Sequence, residues 1–185
     1  MIAPGRGGAS GEKAWENSAQ PIRRTALKQL TDALLADLAR QAQQSPRRRA
    51  NHNLHEELSD PIQRLAIAME PDTVVLPHRH PHTFELLFPL QGRFLVLHFD
   101  RNGTVTGRAI LGEGCKVLEN PAGVWHAVLS LDEGGVIFEV KHGPYMPVAE
   151  ADYAPWAKPA DDDAAAELLD WYAAAQVGDK LSLGC

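Results

Sequence analysis

Three histidines and a glutamate stand at spacings that suit a shared metal ion. His78 and His80 are two residues apart in a strand-like run, so alternation turns both imidazoles to one face. Glu85 follows five residues later, across Pro81, and joins them only if a turn returns the chain along a neighbouring strand. His126 opens a distant apolar run just after the turn Pro121-Ala122-Gly123. Three imidazoles and one carboxylate suit a divalent transition metal ion such as Fe, Mn, Ni or Zn, and five- or six-coordinate ions keep positions for water or substrate. Such an ion acts as a Lewis acid or activates dioxygen. Isomerase, epimerase, lyase and Fe(II) dioxygenase chemistry all fit, as does a non-catalytic sensor that holds a ligand on the same metal.

Further polar residues are candidates for substrate contact. Arg47, Arg48 and Arg49 form a run that can clamp a phosphate or sugar acid bidentately, with Arg47 and Arg49 ahead of Arg48, although such runs are usually solvated. Gln63 and Arg64 open a strand on opposite faces, so one of them points inward, and Arg64 has an ion pair as its plainer role. His52, His55, His82, His98 and His142 share no ligand spacing beyond His52-x-x-His55 and read as surface or structural residues. Phe84, Phe88, Phe94 and Trp125 read mostly as core, and Cys115 as a structural thiol.

The elements that must position these residues change character along the chain. Residues 1–22 are rich in Gly and Pro and read as a flexible tail. From Thr25 to Gln44 the leucines at 27, 30, 34, 35 and 38 keep helical spacing, and Ser45-Pro46 stops the helix. Beyond Ile62, strand signals at Thr73–Leu76, Phe84–Leu90, Phe94–Phe99 and Val136–Val140 alternate with Gly, Pro and Asn turns. Short strands at that interval predict a sandwich or barrel. Asp161–Asp163 can cap a helix over Ala164–Ala175.

Two separated segments resemble the cupin superfamily. The first reads His78-x-His80-x4-Glu85-x6-Gly92, and the second Gly114-x6-Pro121-x-Gly123-x2-His126. Asp72 stands where the first motif opens on glycine, one extra residue precedes Pro121, and Ser130 replaces the final Asn; every ligand position is kept. Over residues 45–157 the chain is similar to the WbuC-type cupin metalloproteins found among bacterial surface-polysaccharide genes. Ser45-Pro46-Arg47-x-Arg49, Asp60-Pro61-x-Gln63-Arg64 and Phe138-Glu139-Val140-Lys141-x-Gly143-Pro144-Tyr145 are among the segments that carry this likeness. The resemblance implies an all-β double-stranded β-helix, or jelly-roll barrel, with flanking helices, binding one metal and acting on a sugar or its derivative. It divides the chain into a tail at 1–22, a cupin domain with its helix at 23–158, and a helical extension at 159–185.

Composition narrows the partners. With 44% hydrophobic residues the chain can build a core, and a net charge of -6 argues against a nucleic-acid partner. No apolar run is long enough to span a bilayer or to serve as a signal peptide, which predicts a soluble, cytoplasmic protein. Only Cys115 and Cys185 occur, so no disulfide framework is expected. Phe94–Phe99 is apolar on both faces, more than one barrel interior requires, and this predicts a homodimer.

Overall fold

The computed structural model describes residues 27–181 and consists of two antiparallel sheets flanked by two helices, a jelly roll. The first sheet contains β1 (Arg49–Asn53), β2 (Ile62–Met69), β3 (Glu85–Gln91), β6 (Leu118–Asn120) and β8 (Gly135–His142), in the order β1-β2-β8-β3-β6. The second contains β4 (Phe94–Phe99), β5 (Val105–Leu111) and β7 (Trp125–Ser130), ordered β5-β4-β7. Between the sheets lie Met69, Leu87, Phe94, Val96, Leu111 and Ile137. Alternation explains the choice: Phe94 and Val96 face this core, while Leu95, Leu97 and Phe99 face outward. The chain turns from β3 to β4 through Gly92, whose φ of 73° favours glycine.

Each outward face has its own cover. The helix α1 (Asp32–Gln44) packs Leu35, Leu38 and Ala42 onto Ala66, Ala68 and Val136 of the first sheet. It begins later than the leucine spacing predicts because Thr31 is the N-cap, its side chain accepting from the Leu34 N–H at 3.3 Å. The second helix, α2 (Asp162–Ala174), is capped by Asp161, which accepts from the Ala164 N–H at 3.0 Å. Its Leu168 and Tyr172 are fully buried against Leu95, Leu97 and Phe99. The second apolar face of Phe94–Phe99, from which a homodimer is expected, is therefore covered by the chain itself.

One expected strand is absent. Thr73–Leu76 runs without strand pairing. Its Val75 carbonyl accepts instead from the Tyr172 hydroxyl at 3.2 Å, and just beyond it His78 forms isolated bridges to His126 and to Tyr153. An apolar β-branched run thus lines a cavity rather than joining a ladder. The proposed tail at 1–22 lies outside the described residues. Among the described residues no helix is long and apolar enough to cross a membrane.

Candidate metal centre

Both sheets deliver ligands to one end of the sandwich. His126 lies on the inner face of β7, whose outer residues Ala127 and Leu129 pack toward α2. The stretch before β3 docks on β7 through two backbone bonds, His78 N–H to the His126 carbonyl at 3.0 Å and His126 N–H to the His78 carbonyl at 2.9 Å. Arg79 turns away to Asp152 at 2.9 Å and over the Trp125 ring, leaving His78 and His80 facing inward. Glu85 begins β3 in the opposite sheet, and the ligand atoms of His78, His80, Glu85 and His126 lie within 4.8 Å of one another.

The ring nitrogens are prepared for a cation. A carbonyl only accepts, so the contacts of His78 Nδ1 with the Leu76 carbonyl at 2.9 Å and of His126 Nδ1 with the Val124 carbonyl at 3.0 Å place protons on Nδ1. Both Nε2 lone pairs are thereby free. His80 and His126 Nε2 each lie 2.8 Å from a Glu85 oxygen, yet both nitrogens are buried without an aligned hydrogen bond. Nitrogens and carboxylate oxygens that converge this closely on one point fit a shared divalent ion.

Electrostatics agree with that donor set. Burial, aided by His126, holds His78 down at about 3, so its imidazole is neutral wherever the protein is folded near neutrality. Burial pushes the Glu85 carboxyl up, but the His126 and His80 imidazoles outweigh it and hold Glu85 well below the usual carboxylate range, with Lys141 assisting. Asn120 Nδ2 also points to Glu85 Oε2 at 3.4 Å, and its Oδ1 meets His98 Nε2 at 2.7 Å. His98 thus has the structural role expected of it.

The centre opens into a cavity of about 770 Å³ with a floor that includes Leu65, Ile67, Leu87 and Ile137. Strand register decides which residues join it. Gln63 pairs with Lys141, and Lys141 with Glu85, so these three share the inner face. Glu139, Leu65 and Leu87 form the next inner row. Lys141 Nζ lies 2.8 Å from Glu139 and 3.1 Å from Glu85. Burial and the neighbouring Glu85 push the Glu139 carboxyl up, against the opposing pull of Lys141. Neither residue has an assigned role in the sequence reading. The available signal is two charged residues at alternate positions after Ile137 in an otherwise apolar run.

The four candidate substrate contacts divide. Arg47 and Arg49 line the cavity, as does Gln63, whose amide donates to the Asp60 carbonyl at 2.8 Å and the Leu58 carbonyl at 3.2 Å. Arg64 does not. Alternation puts it on the outer face of β2, where it pairs with Asp60 at 2.8 Å, so its plainer role prevails. His55 is structural rather than superficial: it is buried in the cavity wall, and its Nδ1 accepts from the Arg64 N–H at 3.0 Å. Cys115 is a free, half-buried thiol outside the cavity wall.

A family model described as a domain of unknown function (DUF6016) matches residues 30–111. No curated protein sequence matches the chain significantly. Solved structures similar to it include KdgF from Halomonas sp., at 15% identity over 53% of this chain and 80% of that one, with a TM-score of 0.41. An oxalate oxidase in complex with the substrate analogue glycolate is 13% identical over 71% of this chain and 76% of its own, with a TM-score of 0.46. A variant of the Bacillus subtilis oxalate decarboxylase OxdC is 21% identical over 52% of this chain, with a TM-score of 0.41. The match spans only 28% of the decarboxylase.

Proposed function

We propose that this chain is a cupin metalloprotein, and that it is a metal-dependent enzyme acting on a small polyhydroxylated or anionic substrate such as a sugar derivative. The observation that carries the reading is the convergence of the four candidate ligand groups within 4.8 Å, with buried His80 and His126 Nε2 each 2.8 Å from a Glu85 oxygen. His78, His80, Glu85 and His126 would hold one divalent transition ion, Fe, Mn, Ni or Zn. A bound ion supplies Lewis-acid polarisation of substrate oxygens. The chain's own residues do the rest. Asn120 and Lys141 orient Glu85, the apolar floor limits water, and Glu139 is a buried carboxyl placed to hold or deliver a proton beside the substrate. That extra acid in the wall favours an enzyme over a binding or sensor module. The finer likeness to WbuC-type proteins, and with it a place in surface-polysaccharide metabolism, belongs to this proposal.

Elemental analysis of the purified chain and of His80→Ala tests the ligand set. Near one metal per wild-type chain and strong loss in the folded variant are expected; equal stoichiometry in both removes the shared site. Metal-dependent turnover in a panel of sugar phosphates, sugar nucleotides and hydroxy acids then decides for catalysis. Binding without turnover across the panel returns the sensor reading.

A further inference from the structure

The cavity wall holds two arginines that the protein leaves without anionic partners. Arg40, Arg48, Arg64, Arg79 and Arg93 each meet a carboxylate within 3.0 Å. Among the described residues, the guanidinium groups of Arg47 and Arg49 meet neither a carboxylate nor a hydrogen-bond acceptor, although both line the cavity. Arg49 is half-buried, and burial, with the charge of Arg47 added, lowers its pKa, a setting in which a nearby anion would be favourable.

The backbone is shaped to produce this pair. Arg48, between them, has a φ of 54°, in the left-handed region that a non-glycine residue adopts only at a cost. It is held there by Thr73 Oγ1 and the Glu70 N–H, which donate to the Arg48 carbonyl at 2.6 and 3.1 Å. Its own side chain is turned away to Asp72 and the Gln43 carbonyl. Arg47 and Arg49 are left on the cavity side. From Arg49 the inner face of β1 continues through Asn51 and Asn53, opposite the apolar Leu65, Ile67 and Met69 of β2. Tyr153 lines the same cavity and lies 6.2 Å, ring to ring, from His78. The arginine pair and the His/Glu cluster therefore share one chamber.

We propose that Arg47 and Arg49 clamp the carboxylate or phosphate of a small acid, whose oxygen-bearing remainder runs along Asn51 and Asn53 toward the His/Glu centre. The proposal rests on the reading of that centre as a metal site for its second half only. Guanidinium forks suit both oxyanions, since each offers paired oxygens at matching spacing. A cavity of about 770 Å³ is of the size that holds one small molecule.

Calorimetric titrations with D-gluconate, D-glucose 6-phosphate and the neutral D-glucitol test the clamp. They would use metal-loaded and metal-free full-length protein, the Arg47→Ala/Arg49→Ala double variant, Arg49→Lys, and Arg101→Ala as a control for charge at an exposed site. The wild-type chain should bind at least one acidic probe roughly tenfold or more tightly than glucitol. The double variant should lose that preference with its metal content and thermal midpoint unchanged, Arg49→Lys should retain part of it, and Arg101→Ala all of it. Which acid wins separates carboxylate from phosphate. Equal binding of acidic and neutral probes, no binding of either acid, or a preference that survives the double variant overturns the clamp. In His80→Ala, loss of metal with an intact Arg-dependent preference shows the clamp standing independently of the metal centre. A metal-loaded protein without that preference shows the reverse.

Discussion

At the scale of single residues, Glu85 joins the chemistry to the barrel, because its two oxygens face His80 and His126 and are steered by Lys141 and Asn120. In the metal-free protein this arrangement makes His126 a proton store. Burial lowers its pKa, but the Glu85 carboxylate outweighs burial and raises it above 6.5. A folded-state pKa raised above the unfolded value contributes stability that is fully present below 6.5 and is lost as pH rises through the folded value. Metal uptake must displace that proton, so uptake weakens as pH falls through the same value. Thermal midpoints of metal-free wild type and a folded His126→Asn variant, followed over pH, should therefore differ most below 6.5 and converge as pH rises through the raised folded value. A difference that stays constant with pH removes the coupling.

At the scale of elements, the loop before β2 and the end of β8 are locked together where glycine alone fits. A Cβ on Gly143 would overlap the Asp60 carbonyl oxygen and lie 2.8 Å from Gln63 Nε2, and Gly143 N–H already donates to the Pro61 carbonyl at 2.8 Å. Because the clashing atom is backbone, Gly143→Ala should destabilise by about 1–3 kcal/mol or more, read as a lowered denaturant midpoint. Metal stoichiometry should stay at the wild-type level, since the four candidate ligands come from β3, β7 and the stretch before β3; loss of metal would show that this corner supports the centre. The same contrast explains what could be read from sequence. His78, His80, Glu85 and His126 are legible because their side chains carry the chemistry and their spacings fit turns and alternation. Glu139 and Lys141 are not, because only the pairing of β8 with β3 brings them beside Glu85. The isolation of Arg47 and Arg49 depends on the left-handed backbone at Arg48, which no local rule assigns to arginine. Thr73–Leu76 has strand composition yet lacks a strand partner, a tertiary outcome that outweighs β propensity.

At the scale of the whole molecule, the covering of the second sheet decides how its apolar strands remain soluble. Leu95, Leu97 and Phe99 point away from the inner core, and in isolation they favour pairing with another copy. Here Leu168 and Tyr172 of α2 close that face, both at 0% exposure, with Trp156 and Trp171 packed at its margin. A homodimer, if formed, must use another surface, and Leu58, Ile62, Tyr145 and Met146 are exposed apolar residues available for one. Tyr172 also satisfies the Val75 carbonyl, so α2 supports the stretch that leads into His78. Ending the chain after Lys158 removes two fully buried side chains, each contributing roughly 1.5–3 kcal/mol, and uncovers the outer strands. Light scattering should show the shortened chain associating into species heavier than those of the full chain, with a lower thermal midpoint. Metal content should fall in step, because the His78 stretch loses its Tyr172 contact. A shortened chain with the mass, midpoint and metal content of the full one would mean that α2 is an appendage and that the barrel closes its outer face by other means.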